Sequence, residues 1–226
     1  MKKFLLLITF ASGGCFSAWA TTCATATLAT YDAPGFSCTI MGGDITFSGF
    51  SYVPSGSIII PASDVTVTPE IIDGEQGFQF NAPWLATPGG FLDSFIDFTA
   101  TCDACTIDDL QLSMGGYGDG TGGVVRVDES YLSSTPTPPL SGSLTVGQFG
   151  TTNIPNAMVT FAPVGSITVD KDILLGGGTS GLGSAVSSVT NLFSTTGTTV
   201  TPEPSLLLLS AGFLGLVPFA RRKFAR

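Results

Sequence analysis

The sequence predicts an all-β domain, a sandwich or jelly roll of short antiparallel strands, between two terminal segments that lie outside the fold. Ten or more short segments between residues 45 and 193 alternate apolar and polar residues with a period of two, which is typical of strands with one buried face. Glycine, proline, asparagine and aspartate separate these segments, as turn residues do. No long helical period is present between them, so we expect two packed sheets.

The predicted strands follow one another along residues 21–193. Residues 45–47 and 50–52 alternate out of step, and Ser48-Gly49 between them indicates a β-bulge. Residues 185–193 fit a helical spacing, but their serine- and threonine-rich composition favours a last strand. The other strand patterns lie at 58–60, ended by Pro61, and at 65–67, 78–80, 96–98, 110–114, 125–127, 144–146, 158–161 and 167–173.

Three further segments are predicted to connect or follow the strands. The proline-rich stretch 133–141 is predicted to be a surface loop. Residues 176–181 satisfy G-x-G-x-x-G, but no βαβ unit surrounds them, so we expect a glycine-rich hairpin turn and no dinucleotide site. Residues 194–201 are rich in threonine and glycine, which predicts a linker.

The N-terminal residues 1–20 have the layout of a secretory signal peptide. The basic pair Lys2-Lys3 precedes an apolar run over residues 4–11, and Ala18-Trp19-Ala20 has the small-x-small pattern of a cleavage site. We therefore expect a signal-peptide helix, cleavage by signal peptidase after Ala20, and export of the rest of the chain.

The C-terminus joins a charged triplet, an apolar segment and a basic end. Pro202, Glu203 and Pro204 precede residues 205–220, which are uncharged and apolar or small all round. The basic end, residues 221–226, begins with Arg221, Arg222 and Lys223. The apolar segment is short for a span, which needs about 20 residues, but flanking basic side chains can extend it. We predict a transmembrane helix with its basic end in the cytoplasm and the bulk of the chain outside.

This triplet, apolar segment and basic cluster behind a signal peptide resemble the PEP-CTERM sorting signal. The resemblance covers residues 202–226, and Pro218 departs from it by interrupting the apolar run. It implies an inner-membrane intermediate that an exosortase, a membrane-embedded cysteine transpeptidase, processes for the cell surface or exterior. It also implies a Gram-negative bacterium that makes exopolysaccharide. Similar tails occur on some ice-binding proteins, which implies nothing about ice here.

Three segments of the middle region also carry a looser resemblance. Residues 45–52, 63–69 and 171–173 resemble an uncharacterised ectodomain found on other PEP-CTERM proteins. This resemblance implies no activity.

The distribution of charge excludes a nucleic-acid binder. Residues 21–200 hold 16 acidic residues and two basic ones, Arg126 and Lys171, for a net charge of −14. Such a domain repels nucleic acid and anionic lipid surfaces, since both need a basic partner. We expect Lys171, which continues a strand pattern, to be a solvent-exposed charge.

Four cysteines remain after removal of the signal peptide, namely Cys23, Cys38, Cys102 and Cys105. An even number in an exported chain predicts two disulfides. Three pairings are possible, and we favour Cys23–Cys38 and Cys102–Cys105 because each closes a short local loop. The C-x-x-C motif of the second pair follows a strand pattern and precedes no helix, so a redox site is not expected.

Catalysis is poorly supported, and the chain is predicted not to be an enzyme. The sequence has no histidine, which removes the common catalytic triads and the commonest metal ligand. Paired carboxylates are the remaining enzymatic option, as in a glycosidase. The candidate pairs are Asp93/Asp97, Asp108/Asp109 and Asp128/Glu129.

Two binding functions remain as alternatives, and no catalytic, cofactor or metal residue is assigned. Acids near turns could hold Ca²⁺, although no EF-hand loop is present; they are Asp103, Asp108, Asp109 and Asp119. A carbohydrate module would expose aromatic side chains, for which Trp84, Tyr117 and Tyr131 are the candidates. The preferred hypothesis is an exported surface or matrix protein that is structural or adhesive within an exopolysaccharide.

Overall fold

The computed structural model describes residues 21–116, 118, 121–135 and 138–197. The predicted signal peptide with Ala18 and Ala20, and the predicted sorting segment with its transmembrane helix, lie outside the described residues. Within the described ranges, no helix combines the length and the apolar character that crossing a membrane requires.

The described residues form fifteen strands, one helical turn α1 (Leu28–Tyr31) and a 3-10 turn at Ala62–Asp64. In chain order the strands are β1 (Thr21–Thr22), β2 (Ala26–Thr27), β3 (Ser37–Thr39), β4 (Ile45–Gly56), β5 (Thr66–Ile72), β6 (Glu75–Ala86), β7 (Phe91–Cys102), β8 (Thr106–Gly115), β9 (Val124–Ser133), β10 (Leu140–Phe149), β11 (Thr152–Ile154), β12 (Asn156–Val164), β13 (Ser166–Gly176), β14 (Ser184–Phe193) and β15 (Thr195–Thr196). The described chain is therefore all-β, as predicted.

The strands form two packed sheets. Sheet A has the order β1-β3-β4-β7-β13-β9-β10-β11, and sheet B has the order β12-β8-β14-β6-β5-β2 with β15 beside β8. Within these, β7-β13-β9-β10 and β6-β14-β8-β12 follow the strand order of a jelly roll, in which two Greek keys share eight strands between two sheets. The predicted sandwich is confirmed.

Inward-facing aromatic side chains fill the space between the sheets. Phe47 and Phe98 of sheet A and Phe78 and Phe193 of sheet B are all 1% exposed or less. The rings of Phe47 and Phe78 lie 4.6 Å apart, edge to face, which is a favoured geometry for aromatic pairs. Burial of these rings contributes to the hydrophobic stabilisation of the fold.

The predicted bulge is present, and residues 185–193 form a strand as predicted, although the short strand β15 follows it. The register between β4 and β7 shifts between Ser48 and Ser51. Gly49, the extra residue, has φ of +65°, a conformation that glycine adopts without a steric penalty. Residues 184–193 form β14, which pairs with β6 and β8 in the middle of sheet B.

Three local predictions differ from the structure. Residues 58–60 are not a strand: β4 ends at Gly56, and the N–H of Ile58 bonds to the carbonyl oxygen of Phe91 at 3.2 Å. Residues 176–181 are not a hairpin turn, because they lead from β13 in sheet A to β14 in sheet B. The predicted linker begins inside the fold, because Thr195 and Thr196 pair with β8.

The cysteines form the two local pairs that we favoured. Cys23 and Cys38 have Cα atoms 4.9 Å apart and join the chain before β2 to β3. Cys102 and Cys105 have Cα atoms 5.3 Å apart and close the turn between β7 and β8. Both distances lie in the normal disulfide range, and such pairs persist in oxidising compartments.

Candidate functional site

Five aspartates gather on the outer face of sheet A. Asp93 and Asp97 lie on β7, Asp170 and Asp172 on β13, and Asp128 on β9. Their chain neighbours alternate with them and point into the core, so all five side chains project on the solvent side. We call these five residues the aspartate face.

Strand register places four of these carboxylates in cross-strand pairs. Asp97 lies opposite Asp170, and Asp172 lies opposite Asp128. Like charges directly opposite each other destabilise a sheet, so this arrangement must be offset by hydrogen bonds or protonation.

Hydroxyl groups and one cation supply part of that offset. Ser55 Oγ donates to Asp93 at 3.0 Å, and Thr145 Oγ1 donates to Asp128 at 2.6 Å. Arg126 Nε lies 2.7 Å from Asp128 Oδ2 and forms an ion pair at the edge of the cluster. These contacts reach one oxygen of Asp93 from β4, and both oxygens of Asp128 from β10 and from β9 itself.

Raised pKa values of two of the aspartates also reduce the repulsion between the carboxylates. Burial, followed by a hydrogen bond and the charges of Asp93 and Asp128, raises the pKa of Asp172 to about 7. Burial and then the charge of Asp170 raise the pKa of Asp97. Asp93 Oδ1 and Asp172 Oδ1 have no hydrogen-bond donor among the described residues, and a proton retained by Asp172 lets this carboxyl donate a hydrogen bond to Asp93.

A shallow groove crosses the aspartate face beside an exposed ring. Its volume is about 150 Å³, and Phe95 on β7 contributes a side chain that is 38% exposed. The polar side chains along the groove are Asp128, Ser130, Ser143, Asp170 and Asp172. An apolar ring next to carboxylates and hydroxyls suits a ligand with both C–H and O–H groups.

Two of the three candidate carboxylate pairs do not have the arrangement of a glycosidase. Asp128 faces solvent whereas Glu129 is completely buried on the other side of the sheet. Asp93 and Asp97 are four residues apart on β7, so their Cα atoms are about 13 Å apart along the extended strand, farther than the ~5–9.5 Å that separates glycosidase carboxyls. Asp109 accepts a hydrogen bond from the N–H of Ser194 at 2.9 Å, which gives it a structural role where β8 meets β15.

The calcium candidates do not assemble into a site among the described residues. No group of three or more aspartate, glutamate, cysteine or histidine side chains in this part of the chain is arranged to hold a metal ion. Asp103, Asp108 and Asp109 lie at or after the turn between β7 and β8, and Asp119 lies outside the described residues.

Two of the three aromatic candidates are buried. Trp84 is 0% exposed and Tyr131 is 7% exposed, so both belong to the core, and Tyr117 lies outside the described residues. Phe95 was not among the aromatic residues predicted to be exposed. Its position in the period-two pattern of β7 can be read from the sequence, but which face of β7 is open to solvent cannot.

Lys171 is completely buried, so the prediction of an exposed charge is wrong. Its Nζ contacts Glu129 Oε2 on the adjacent strand β9. Asn191 Nδ2, from β14 in the opposite sheet, donates to both oxygens of Glu129 at 2.7 Å. The three side chains form a polar cluster between the sheets, directly beneath the aspartate face.

A second cavity, of about 280 Å³, opens at the edge of sheet A. It lies between the loop that follows α1 and the β4 bulge, and Phe36, Ser37, Ser48 and Phe50 line it. None of the residues singled out in the sequence as candidate site residues lies there.

Comparisons with known proteins identify no family. No protein-family model matches the chain, and no curated protein matches it. A solved carbohydrate-binding module, TmCBM61 in complex with β-1,4-galactotriose, is similar with a TM-score of 0.31 and 13% identity, over 64% of this chain and 87% of that one. The enzymatically active domain of tailspike protein 4 from bacteriophage CBA120 has a TM-score of 0.27 and 15% identity, over 66% of this chain and 20% of that one. At these TM-scores neither likeness bears on function.

Proposed function

We propose that the protein is exported and sorted to the cell surface or extracellular matrix, where its jelly-roll domain adheres to exopolysaccharide through the aspartate face. The observation that supports adhesion is the groove beside Phe95, which combines an exposed ring with carboxylates and hydroxyls on one sheet face. Carboxylates accept hydrogen bonds from sugar hydroxyls, and an aromatic ring packs against the C–H face of a sugar.

The charge of the face selects the class of polysaccharide. Five aspartates face solvent near a single arginine, Arg126, so the local potential is negative. An anionic polymer would be repelled at low ionic strength. The proposed ligand is therefore a neutral polysaccharide.

Delivery to the matrix rests on features outside the described residues. The signal-peptide layout of residues 1–20 and the PEP-CTERM-like segment 202–226 support export, with signal peptidase and an exosortase as processing partners. The two disulfides favour an oxidising compartment.

Gel retardation of the exported protein in neutral polysaccharide from the host, with dextran as a second probe, tests the binding proposal. Phe95→Ala is expected to weaken binding about tenfold, in keeping with ~1.5 kcal/mol for a lost ring contact. Phe91→Ala is the matched control, because Phe91 is exposed at the start of the same strand and lies outside the groove. Equal retardation of both variants and the parent protein would reject the aspartate face as the binding surface.

A further inference from the structure

The buried polar cluster brings together an amine, a carboxamide and a carboxylate. Lys171 and Glu129 are register partners on β13 and β9, and Asn191 approaches from β14 in sheet B. Lys171 Nζ and Asn191 Nδ2 both bind Glu129 Oε2, so at most two hydrogen-bond lengths separate them.

The cross-strand neighbours of this cluster are apolar in both sheets. In sheet A, Ile96 and Leu144 flank the Lys171–Glu129 pair across the strands. In sheet B, Phe78 and Leu112 flank Asn191. All four residues are 8% exposed or less, and the three polar side chains are 0% exposed. Asn191 Oδ1 has no hydrogen-bond partner among the described residues.

We propose that Lys171 and Asn191 become joined by an intramolecular isopeptide bond, which the folded protein forms by itself with Glu129 as the proton-transfer group. The bond is a covalent modification within the chain and does not depend on the proposed function. It would connect β13 of sheet A to β14 of sheet B across the core.

The reaction balances without a cofactor or an oxidant. The neutral amine of Lys171 attacks Cγ of Asn191, and Glu129 accepts the proton that the amine loses. Glu129 then gives this proton to the leaving Nδ2 group as the Cγ–Nδ2 bond breaks, and ammonia departs. The products are one Nζ–Cγ amide bond and one ammonia molecule, and Glu129 returns to its starting state.

The site supplies what this reaction needs. An amine is a nucleophile only when it is neutral. Burial lowers the pKa of Lys171, and this effect is larger than that of the Glu129 charge, which raises it. The shared carboxylate holds amine and amide near each other, which converts a slow bimolecular step into an intramolecular one. Exclusion of water favours amide formation over hydrolysis.

Mass spectrometry of the exported protein, with its disulfides reduced, tests the proposal. The region from residue 21 onward is expected to be lighter than its sequence by about 17 Da, the mass of one ammonia. Residues 21–200 contain only two tryptic sites, Arg126 and Lys171. Acylation of Lys171 blocks the second site, so trypsin acting on the denatured protein should cut after Arg126 alone.

Variants assign the roles. Glu129→Gln keeps a hydrogen-bonding side chain but cannot accept a proton, so it is expected to have its full mass and to be cut after Lys171. Asn191→Asp is expected to lose water, about 18 Da, in place of ammonia. Asn81→Ala, on the neighbouring strand β6, is the control and should keep the 17 Da deficit.

The protein with its natural sequence tests the isopeptide bond even if a variant fails to fold. A parent chain of full mass that trypsin cuts after Lys171 once denatured would overturn the proposal. A mass deficit that maps to peptides lacking Lys171 or Asn191 would overturn it as well.

Discussion

At the scale of the residue, the burial of Lys171 follows the period of two of its strand and not the usual preference of lysine for solvent. Its pattern neighbours Val169 and Ile173 face the core, so the period of two directed Lys171 inward too. A buried lysine is tolerated only with a partner, and Glu129 occupies the opposing position of β9. The pairing joins residues 42 positions apart and could not be read from either strand alone.

Removing one member of this cluster is expected to be severe. Lys171→Met removes the buried partner of the Glu129 carboxylate and the proposed bond to Asn191, so the free energy of unfolding should fall by about 3–5 kcal/mol. Urea denaturation of the exported protein measures this. Arg126→Gln is the control, because it removes an exposed ion pair, worth about 0–1 kcal/mol. Equal losses for the two variants would contradict the burial of the cluster.

Asp172 makes stability depend on pH. Its pKa rises from 3.8 to about 7 on folding, first through burial and then through Asp93 and Asp128, with Arg126 opposing. The folded state therefore binds more protons than the unfolded state between about pH 4 and pH 7. Stability should fall as pH rises through this window, and Asp97, also shifted upward beside Asp170, adds to the same trend.

Asp172→Asn is expected to flatten this slope and to stabilise the protein at pH 8 relative to the parent. The measurement is the urea midpoint from pH 4 to pH 8. Asp64→Asn, at an exposed turn outside the aspartate face, should leave the slope unchanged. A parent protein whose stability rises steadily across the window would disprove the raised pKa of Asp172.

At the scale of the element, patterns identified strands but not the sheet that each one joins. The bulge at Gly49 and the strand β14 followed from local composition. The prediction of a strand at residues 58–60 was wrong because three consecutive isoleucines are typical of a buried strand. In the structure Ile58 and Ile60 pack on the core from a loop, and Ile59 is exposed. The glycines of residues 176–181 lie in the connection that passes from sheet A to sheet B. There the N–H of Gly177 donates a hydrogen bond to the carbonyl oxygen of Gly90 at 3.0 Å.

The two disulfides should differ in their contribution to stability. Cys23–Cys38 spans 15 residues and Cys102–Cys105 spans three. Loop entropy predicts about 3 kcal/mol for the first and about 2 kcal/mol for the second. Urea denaturation of Cys23→Ser/Cys38→Ser and Cys102→Ser/Cys105→Ser variants compares them. A larger loss for the three-residue loop would show that entropy of the unfolded chain is not the dominant effect.

At the scale of the whole molecule, the jelly roll brings distant segments together. The aspartate face draws on β7, β9 and β13, with hydroxyls from β4 and β10. Its assembly depends on the interleaved strand order of sheet A, which no local pattern contains. The sorting hypothesis belongs to this scale too, because it concerns both ends of the chain around one domain.

Sorting predicts a defined mature form. Intact mass of the exported protein should lack residues 1–20 and the segment beyond Pro202-Glu203-Pro204, and reduction should add about 4 Da for two disulfides. Replacing the triplet by three alanines should leave the tail attached and the chain in the inner membrane. Replacing Thr198 and Thr199 by alanine is the control. A parent protein that keeps residues 205–226 in membranes would contradict sorting by cleavage.

The sequence by itself determined the all-β class, the position of most long strands, the bulge and the local cysteine pairs. Each of these follows from interactions between residues close in the chain, such as alternation, turn chemistry and short loop closure. Only the tertiary structure decided which aspartates share a face, that Trp84 and Tyr131 are buried, and that Lys171 meets Glu129 and Asn191. The physical reason is that a period of two defines two faces of a strand, whereas pairing between distant strands decides what each face meets.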